Sequence, residues 1–354
     1  MEATFEKAAR TDATRDEAPR TGATHEPGAH VDASRLLPTA SARCPACGDD
    51  RPRETWQLPG QLLPHAQSFE AARCHCGQAY LREQVRPEAQ DRLYDADYPL
   101  HRGSALWGPF APVVAFSESR VDARRVRIVR RARDLGPGDR VLDLGCGRGS
   151  FLDRLHGATG AAGLGLDHLA PANPAGTPWS AGPGAAVRCA EAALPKLPPL
   201  AEEQAPYAAI TLWHALEHDP APRETLAWAR EHLAKDGVLV VEVPDESSGL
   251  AKRFGGSWAG HHTPRHASLF EPESLRQMLE SSGFEITHHR RAGTLLPWTL
   301  VALSLIDRVG FRFGRHPAWA LFPFWAAGLV LTSPWLARAN APGRGLQLAI
   351  ARPA

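Results

Sequence analysis

The sequence predicts an α/β protein whose main body is a doubly wound, mostly parallel sheet, with a small cysteine-rich module on its N-terminal side. Three observations lead to this prediction. Short apolar strands alternate with helical segments from about residue 140, a glycine-rich loop follows the first strand, and two cysteine pairs precede them. A chain of 354 residues is long enough for about two domains with a buried core.

The charge balance and cysteine content restrict the partners and the compartment. Forty Lys and Arg face 39 Asp and Glu, a formal charge of +1, so no global field attracts nucleic acid or an anionic membrane. Six cysteines are too few for a disulfide scaffold. The first 30 residues lack an apolar stretch after a basic one, as a secretion signal requires. We therefore expect a cytoplasmic protein with reduced thiols that binds no nucleic acid.

Composition divides the chain into five segments. Residues 1–38 are rich in charged and small residues and are expected to form a disordered tail. After it we expect a zinc-ribbon-like module at 39–85, a core at 86–291 with a helical lead-in at 86–135, an apolar helical insert at 292–342, and a last strand at 343–354.

Two close cysteine pairs characterise the module, Cys44 with Cys47 and Cys74 with Cys76. Paired cysteines suit tetrahedral Zn²⁺, which can stabilise a segment too small for a core of its own. The second pair reads C-x-C-G, one residue shorter than the first, so His65 or His75 could replace a ligand. The competing interpretation is that these cysteines bind no metal.

The core reads as helices and strands in alternation. A helical pattern covers 117–135 and ends at a Gly-Pro-Gly turn, a helix begins near Ser150, and another covers 221–234. Apolar runs predict strands at 141–144, 161–166, 207–213, 238–243 and 346–351. Strands separated by helices predict right-handed crossovers and hence a parallel sheet.

The segment VLDLGCGRGSFLDRL, residues 141–155, is the most informative of the chain. Its strand contains Asp143, and Gly145, Gly147 and Gly149 then let the backbone turn sharply and approach a ligand before a helix begins. The dinucleotide fingerprint G-x-G-x-x-G does not fit, because the sixth position from Gly145 is Ser150.

This acid-x-Gly-x-Gly-x-Gly pattern resembles the nucleotide-binding loop of class I S-adenosylmethionine-dependent methyltransferases. The resemblance continues at Asp167 in GLGLDH, at the Leu-Glu-His of 216–218 and at the Pro-Arg-His of 264–266, and it covers roughly residues 117–290. The last two segments resemble a subgroup that includes small-molecule, ubiquinone-type enzymes. The resemblance implies a Rossmann-like methyltransferase fold with seven strands.

The resemblance also implies the residues that bind S-adenosylmethionine. Asp167 would accept the ribose hydroxyls, since a carboxylate can accept two hydrogen bonds at once. The third-strand region lacks the usual acid unless Glu191 takes that place, and Ala208 replaces an aspartate at the fourth strand. The full expected set is Asp143, Gly145, Cys146, Gly147, Gly149, Asp167, His168, Glu191 and Trp213.

Histidines are concentrated where the reacting centre is expected, beyond the carboxyl ends of the strands. A neutral imidazole can accept the proton that a hydroxyl loses as it attacks. The candidates for catalysis are His218 and His262 first, then His214, Arg265 and His266. Each histidine could instead be structural, and Arg265 could bind a substrate anion or hold its own loop.

The ubiquinone-type enzymes carry a Glu-x-x-Glu-His segment to which a divalent metal is ascribed. Here His214 replaces the first glutamate, while Glu217 and His218 are kept. Because Mg²⁺ prefers oxygen ligands, we expect no metal at this segment.

Two runs near the C-terminus, 292–306 and 317–337, contain no charged residue. Prolines interrupt the second run, so we expect helices that line a cleft for an apolar or lipid-like acceptor. The alternative is an interfacial anchor on a membrane surface, with arginines at the headgroups, namely Arg308, Arg312, Arg315 and Arg338.

The sequence therefore predicts methyl transfer from S-adenosylmethionine to a small molecule, at oxygen because of the histidine-rich segments. Two other functions stay open at this point. One is an NAD-linked oxidoreductase, which the loop spacing disfavours. The other is a zinc-containing binding protein that uses the same scaffold without catalysis.

Overall fold

A computed structural model describes residues 36–63, 65–94, 103–168, 186–198, 206–308, 319, 322–337 and 345–354. The predicted disordered tail lies outside the described residues, apart from its last three. Among the arginines considered for a membrane surface, Arg312, Arg315 and Arg338 also lie outside them.

The described elements, in chain order, are as follows. The strands are β1 (Thr39–Ser41), β2 (Pro52–Pro59), β3 (Ser68–Cys74), β4 (Ala79–Leu81), β5 (Glu83–Val85), β6 (Arg140–Leu144), β7 (Ala162–Asp167), β8 (Val187–Glu191), β9 (Tyr207–Trp213), β10 (Leu233–Pro244), β11 (Ser268–Leu269), β12 (Phe284–Arg290) and β13 (Leu346–Pro353). The α-helices are α1 (Ala111–Ala132), α2 (Ser150–Thr159), α3 (Pro222–His232), α4 (Gly249–Phe254), α5 (Pro272–Ser281), α6 (Pro297–Arg308) and α7 (Phe322–Ala337).

The main sheet has seven strands in the order β12-β13-β10-β9-β6-β7-β8. The neighbours from β10 to β8 are parallel, and β13 lies antiparallel to both β10 and β12. The prediction of a seven-stranded, mostly parallel sheet is thus confirmed. The chain leaves β6 toward one edge and returns at β9 toward the other, so a crevice opens at the carboxyl ends of these two strands.

The central strands of the sheet are buried on both faces, as their continuous apolar runs require. Every residue of β9 is buried. One face packs against α1 and α2 through Val129, Phe151 and Leu155. The other packs against α3 and α5 through Leu226 and Leu275. This two-sided packing fixes the carboxyl ends of the strands in a common plane and so positions the loops that follow them.

Helix α1 starts six residues earlier than predicted and ends three residues earlier. Pro112 lies in its first turn, where a proline costs no helical hydrogen bond. The first five residues are apolar and follow no amphipathic pattern, so periodicity alone does not detect them.

The cysteine-rich region forms a second, four-stranded sheet in the order β11-β4-β3-β2. Three of these strands come from the predicted module, but β11 comes from the core, about 190 residues later in the chain. The main-chain N–H of Leu81 also donates to the carbonyl of Ala267, at 2.9 Å. The region that the sequence presents as separate is therefore completed by a strand of the core.

The apolar insert contributes α6 and α7, which contact each other. The indole N–H of Trp298 donates to the Trp325 carbonyl at 3.0 Å, and Phe322 stacks on Phe110 with ring centroids 4.1 Å apart. Phe324 and Leu331 on α7 are 76% and 80% exposed. Among the described residues, none of the helices combines the length and the apolar character needed to cross a bilayer.

Candidate functional site

The glycine loop after β6 adopts a conformation that only glycine takes readily. The φ angles of Gly145, Gly147 and Gly149 are +74°, +52° and +73°. A Cβ at Gly145 would lie 2.6 Å from the Cβ of Ala215, so this position has no room for a side chain. The loop therefore exposes its main chain to the crevice at the carboxyl ends of β6 and β9.

Asp167, the last residue of β7, is bound directly to this loop. Its Oδ2 accepts a hydrogen bond from the N–H of Gly147 at 2.8 Å, and the N–H of Gly145 donates to the Leu166 carbonyl at 2.7 Å. These contacts hold a half-buried carboxylate beside the glycine main chain. We refer to the glycine loop and Asp167 together as the loop edge.

Asp143 lies below the loop rather than at its surface, with 2% of its area exposed. Its Oδ1 accepts a hydrogen bond of 2.6 Å from the Thr211 hydroxyl. Burial raises the pKa of Asp143 to about 7, against the opposing effects of the Thr211 hydroxyl and the Arg125 guanidinium. This arrangement ties β6 to β9 at the base of the loop.

The other residues expected to bind the cofactor surround the loop edge in different settings. Glu191 is exposed at the end of β8 and pairs in register with Asp167. The thiol of Cys146 is buried, and hydrogen bonding to Cys189 together with burial raises its pKa. The side chain of Trp213 is packed inside the core, with its ring 5.5 Å from that of Phe151. Direct contact of Trp213 with a cofactor stays a prediction.

Sequence reasoning missed the contact that fixes the start of α2. The Ser150 hydroxyl donates to Oδ2 of the buried Asp122, on α1, at 2.8 Å. The guanidinium of Arg125, also on α1, lies over the Trp213 ring at 5.1 Å. The available sequence signal was Asp122 itself, an acid among the arginines of α1.

His214 is the first residue after β9 and lies between two buried glutamates. Its Nδ1 is 3.3 Å from Oε1 of Glu217, and its Nε2 is 3.0 Å from Oε1 of Glu242. Burial lowers the pKa of His214, but the two carboxylates raise it more, to about 9. His214 is therefore an imidazolium at neutral pH and has no lone pair with which to accept a proton.

Glu242 was not among the predicted residues, although an acid inside the apolar strand VLVVEVP is a visible signal. It is fully buried, and both its oxygens accept hydrogen bonds from Thr294, at 2.6 Å from the main chain and 2.7 Å from the hydroxyl. His214 itself has a φ of +58°, which its ion pairs and the N–H bond to the Glu242 carbonyl maintain.

The other three predicted histidines come together in one cluster, which we call the histidine trio: His218, His262 and His266. Their rings are mutually perpendicular within about 10°, with centroids 5.9, 4.5 and 5.1 Å apart. The segment that carries His218 is a single 3-10 turn at Leu216–His218, so His214 and His218 do not share a helix face.

Hydrogen bonds orient two rings of the trio. Nδ1 of His266 lies 2.8 Å from the Gly260 carbonyl, which can only accept, so this nitrogen carries the proton. Nδ1 of His218 lies 3.3 Å from the Tyr94 hydroxyl oxygen. Burial lowers the pKa of each imidazole in the trio, so the rings are neutral at neutral pH.

Tyr94 connects the trio to the loop edge, and no sequence motif indicated it. Its hydroxyl reaches His218, while its ring centroid lies 4.9 Å from that of His168, the residue after Asp167. Burial raises the pKa of Tyr94 to about 12, so it stays protonated. Tyr94 therefore links the trio to His168, the residue that follows Asp167 of the loop edge.

Arg265 is 5% exposed and is directed toward main chain. Its Nε and Nη2 donate to the Leu93 carbonyl at 3.0 and 2.7 Å, and its Nη1 donates to the Gln61 carbonyl at 3.0 Å. Arg265 thus joins three distant parts of the chain at the trio. A contact with a substrate anion stays a prediction.

The four predicted metal-binding cysteines form one cluster, with all sulfur atoms within 4.8 Å of one another. The Sγ atoms of Cys44 and Cys76 are 3.6 Å apart, and those of Cys47 and Cys74 are 3.4 Å apart. Thiolates at 2.3 Å from a tetrahedral zinc ion lie about 3.8 Å from one another, so the residues fit Zn²⁺. The cluster does not include His65 or His75.

Polar contacts join the cysteine region to the segment that carries the trio. The N–H of Gln61 donates to the Thr263 carbonyl at 2.7 Å, and the Gln78 side chain donates to the Leu269 carbonyl at 3.1 Å. Arg73 forms an ion pair with Glu271 at 2.8 Å. The position of the 258–271 segment therefore depends on the cysteine region.

A comparison with protein families indicates the kind of domain. Residues 118–289 match the model of a family described as a methyltransferase domain. Among curated proteins, none matches the sequence of this chain. The family match covers the loop edge and all three histidines of the trio.

Several solved structures are similar in fold. The 1,6-didemethyltoxoflavin-N1-methyltransferase of Burkholderia thailandensis, with bound S-adenosylhomocysteine, is 14% identical; the match covers 84% of this chain and 99% of that one, with a TM-score of 0.46. Phosphoethanolamine N-methyltransferase 2 of Haemonchus contortus is 11% identical, with 85% and 68% covered and a TM-score of 0.49. The cyclase SpnF is 19% identical, with 65% and 80% covered and a TM-score of 0.43.

Proposed function

We propose that this chain methylates an oxygen atom of a small molecule. The premise is that residues 118–289 form a class I, S-adenosylmethionine-dependent methyltransferase domain. The observation that carries the proposal is the loop edge. Three glycines with positive φ expose main chain at the crevice between the carboxyl ends of β6 and β9. Asp167 lies beside them and is hydrogen-bonded to the loop. The functions of an NAD-linked oxidoreductase and of a binding protein have no comparable support.

The loop edge suits an adenosyl amino acid. The glycines allow close approach of the ligand to the main chain, and the N-terminus of α2 begins directly after Gly149. The Asp167 carboxylate has the acceptor capacity to hold two neighbouring ribose hydroxyls. Asp143 supports this arrangement from below through Thr211.

S-adenosylmethionine supplies a methyl group on a positively charged sulfur, which is ready for in-line displacement. The chain mainly has to align the acceptor and exclude water. Tyr94 contacts both His218 of the trio and His168, the residue that follows Asp167 of the loop edge. We therefore place the acceptor pocket against these side chains.

An oxygen acceptor must lose its proton, and the trio is where we propose that this happens. Burial lowers the pKa of the three imidazoles, whereas two carboxylates raise the pKa of His214 to about 9, so we assign the proton loss to the trio rather than to His214. Removal of the trio's imidazoles should therefore impair turnover and leave cofactor binding intact.

The apolar helices favour an acceptor with apolar parts. The hydroxyl of Ser304, on α6, accepts a hydrogen bond from the N–H of Ala259 at 2.9 Å, which fixes this helix next to the segment carrying His262. The part of α6 before Asp307 carries no charged residue and supplies an apolar wall beside the trio.

The cysteine cluster completes the proposal as a structural zinc site held by Cys44, Cys47, Cys74 and Cys76. Thiol alkylation is compared in the chelator-washed and the zinc-reloaded protein. Bound zinc should protect the four thiols from the alkylating reagent. Thiols that react equally fast with and without zinc would contradict this part.

Calorimetric titration with S-adenosylmethionine and S-adenosylhomocysteine tests the cofactor, with a nicotinamide dinucleotide as the control ligand. If neither adenosyl compound binds, the proposal is overturned. If the dinucleotide alone binds, the result favours the oxidoreductase. A panel of phenols, alcohols, carboxylic acids and amines, scored by S-adenosylhomocysteine release, then tests the acceptor. Methylation of amines alone would refute the assignment to oxygen.

A further inference from the structure

The histidine trio has the composition of a metal site, and it is separate from the cysteine cluster. We propose that His218, His262 and His266 bind one divalent transition-metal ion of the zinc class. We further infer that the remaining coordination position takes the acceptor oxygen, a role that rests on the function proposed above.

The distances allow this coordination with small movements. One nitrogen from each ring can be chosen so that the three lie within 4.8 Å of one another. Imidazole nitrogens at about 2.0–2.1 Å from a tetrahedral ion lie about 3.4 Å apart. His218 and His262 are only half-buried, so their rings can turn toward His266.

The surrounding hydrogen bonds are those that a metal-binding imidazole needs. In His266 the Nδ1–H is given to the Gly260 carbonyl, which leaves the lone pair on Nε2. In His218 the Tyr94 hydroxyl lies next to Nδ1, so Nε2 is the nitrogen that remains for an ion. Such partners orient the ring and fix its tautomer before any ion arrives.

The backbone at His262 supports a specialised role. Its φ is +42°, which is uncommon for any residue other than glycine. Contacts of the 258–271 segment with the cysteine region hold it there. Strain of this kind persists where the surrounding structure fixes the position of a functional group.

The donor set also predicts which metal binds. Three imidazoles suit zinc, cobalt, nickel, copper and iron, whereas Mg²⁺ and Ca²⁺ prefer oxygen. Both nitrogens of His214 face carboxylates, so this residue does not join the site. The absence of metal expected from the sequence concerned the set His214, Glu217 and His218, and the structure offers a different set.

The chemistry follows from the open position. Sites with three protein ligands keep one position for water or substrate, and a bound hydroxyl becomes far more acidic. With an ion bound, the ion rather than a free imidazole of the trio would promote this proton loss. The acceptor O–H proton leaves to solvent, and the new O–C bond forms as the S–C bond breaks. The electron pair of that bond stays on sulfur, which becomes neutral.

The test is a Co²⁺ titration of the full chain after chelation, followed by absorption spectroscopy. Cobalt bound to cysteines shows an intense thiolate charge-transfer band, whereas cobalt bound to imidazoles shows only weak ligand-field bands. The variants are His262→Gln and His266→Gln, each made separately. His288→Gln, at an exposed position of β12, is the matched control.

We expect the wild-type chain and His288→Gln to bind about one cobalt ion more than either trio variant. The thiolate band should be equal in all four proteins, which shows that the variants are folded around their cysteine cluster. Equal cobalt uptake by the wild-type chain and the trio variants would overturn the metal site.

Two further readouts separate this inference from the proposed function. S-adenosylmethionine titration of the same variants should be unchanged, because the trio does not form the loop edge. Addition of the acceptor should shift the ligand-field bands of the wild-type cobalt protein. Cobalt binding without cofactor binding would refute the proposed function and leave the metal site standing. Ligand-field bands that do not shift when the acceptor is added would refute only the role of the open coordination position.

Discussion

The loop edge and the histidine trio lie side by side, but the chain builds them in opposite ways. The loop edge comes from one strand-helix-strand unit, residues 140–167, in which neighbours in sequence are neighbours in space. The trio joins His218 to a loop almost 50 residues later, with Tyr94 and the cysteine region as supports. A local site can be recognised by its motif, whereas a composite site depends on tertiary contacts that no motif records.

The largest expected effect separates catalysis from cofactor binding. His218→Ala and His262→Ala, made separately, should each lower methyl transfer about 10²–10⁴-fold, because the acceptor's proton loss depends on the trio. Calorimetry should show unchanged affinity for S-adenosylmethionine. Undiminished turnover in both variants would remove the trio from the mechanism and with it this side of the comparison.

The reciprocal change affects the loop edge. Asp167→Asn should weaken S-adenosylmethionine binding about 10–100-fold, since hydrogen bonds to a charged group contribute about 1.5–3 kcal/mol. Asp153→Asn, on the exposed side of α2, is the control and should bind normally. Cobalt uptake by the trio should not change. A trio that loses its metal in Asp167→Asn would show that the two regions are one unit.

The ion pairs of His214 lie between the two regions and predict a pH dependence. The pKa of His214 is raised to about 9, so its stabilisation is complete below about pH 6.5 and is lost as the pH rises through 9. Between pH 7 and 9 the free energy of unfolding should fall about 2 kcal/mol more in the wild-type chain than in His214→Gln. Denaturant titrations at both pH values measure this, and parallel curves would contradict it.

The smallest effect concerns the support of the trio. Cys47→Ser should lower turnover about tenfold, the size typical of lost support around a ligand, because the cysteine region holds the 258–271 segment. Affinity for S-adenosylmethionine should stay the same. Arg51→Ala, an exposed change in the same region, is the control. A larger loss of cofactor affinity than of turnover would reverse the assignment.

The sequence predicted the main sheet and the glycine loop because their signals are local. Apolar runs of strand length and glycines at fixed spacing mark the elements within a few residues of each other. The sequence did not predict the start of α1 at Ala111, because the first turn of this helix is apolar throughout and shows no helical periodicity. The burial of Asp143 and Trp213 also escaped, because a motif gives the position of a residue and not the direction of its side chain.

Composite features escaped for a different reason. Tyr94 lies in a mixed aromatic stretch, and nothing around it indicates a partner 124 positions away. Strand β11 is two residues long, too short for a periodic signal. The sequence did supply the three histidines of the trio as separate candidates, but it grouped His218 with His214, which the structure assigns to an ion-pair network.

The two-residue strand β11 has a consequence for anyone who would transplant the cysteine region. Cut out alone, this region would leave the edge of β4 without its neighbour, and an open strand edge invites pairing with a second molecule. A graft would have to carry residues 258–271 with it, and so two of the three imidazoles. The cysteine region and the segment that carries His262 and His266 therefore have to be transferred together.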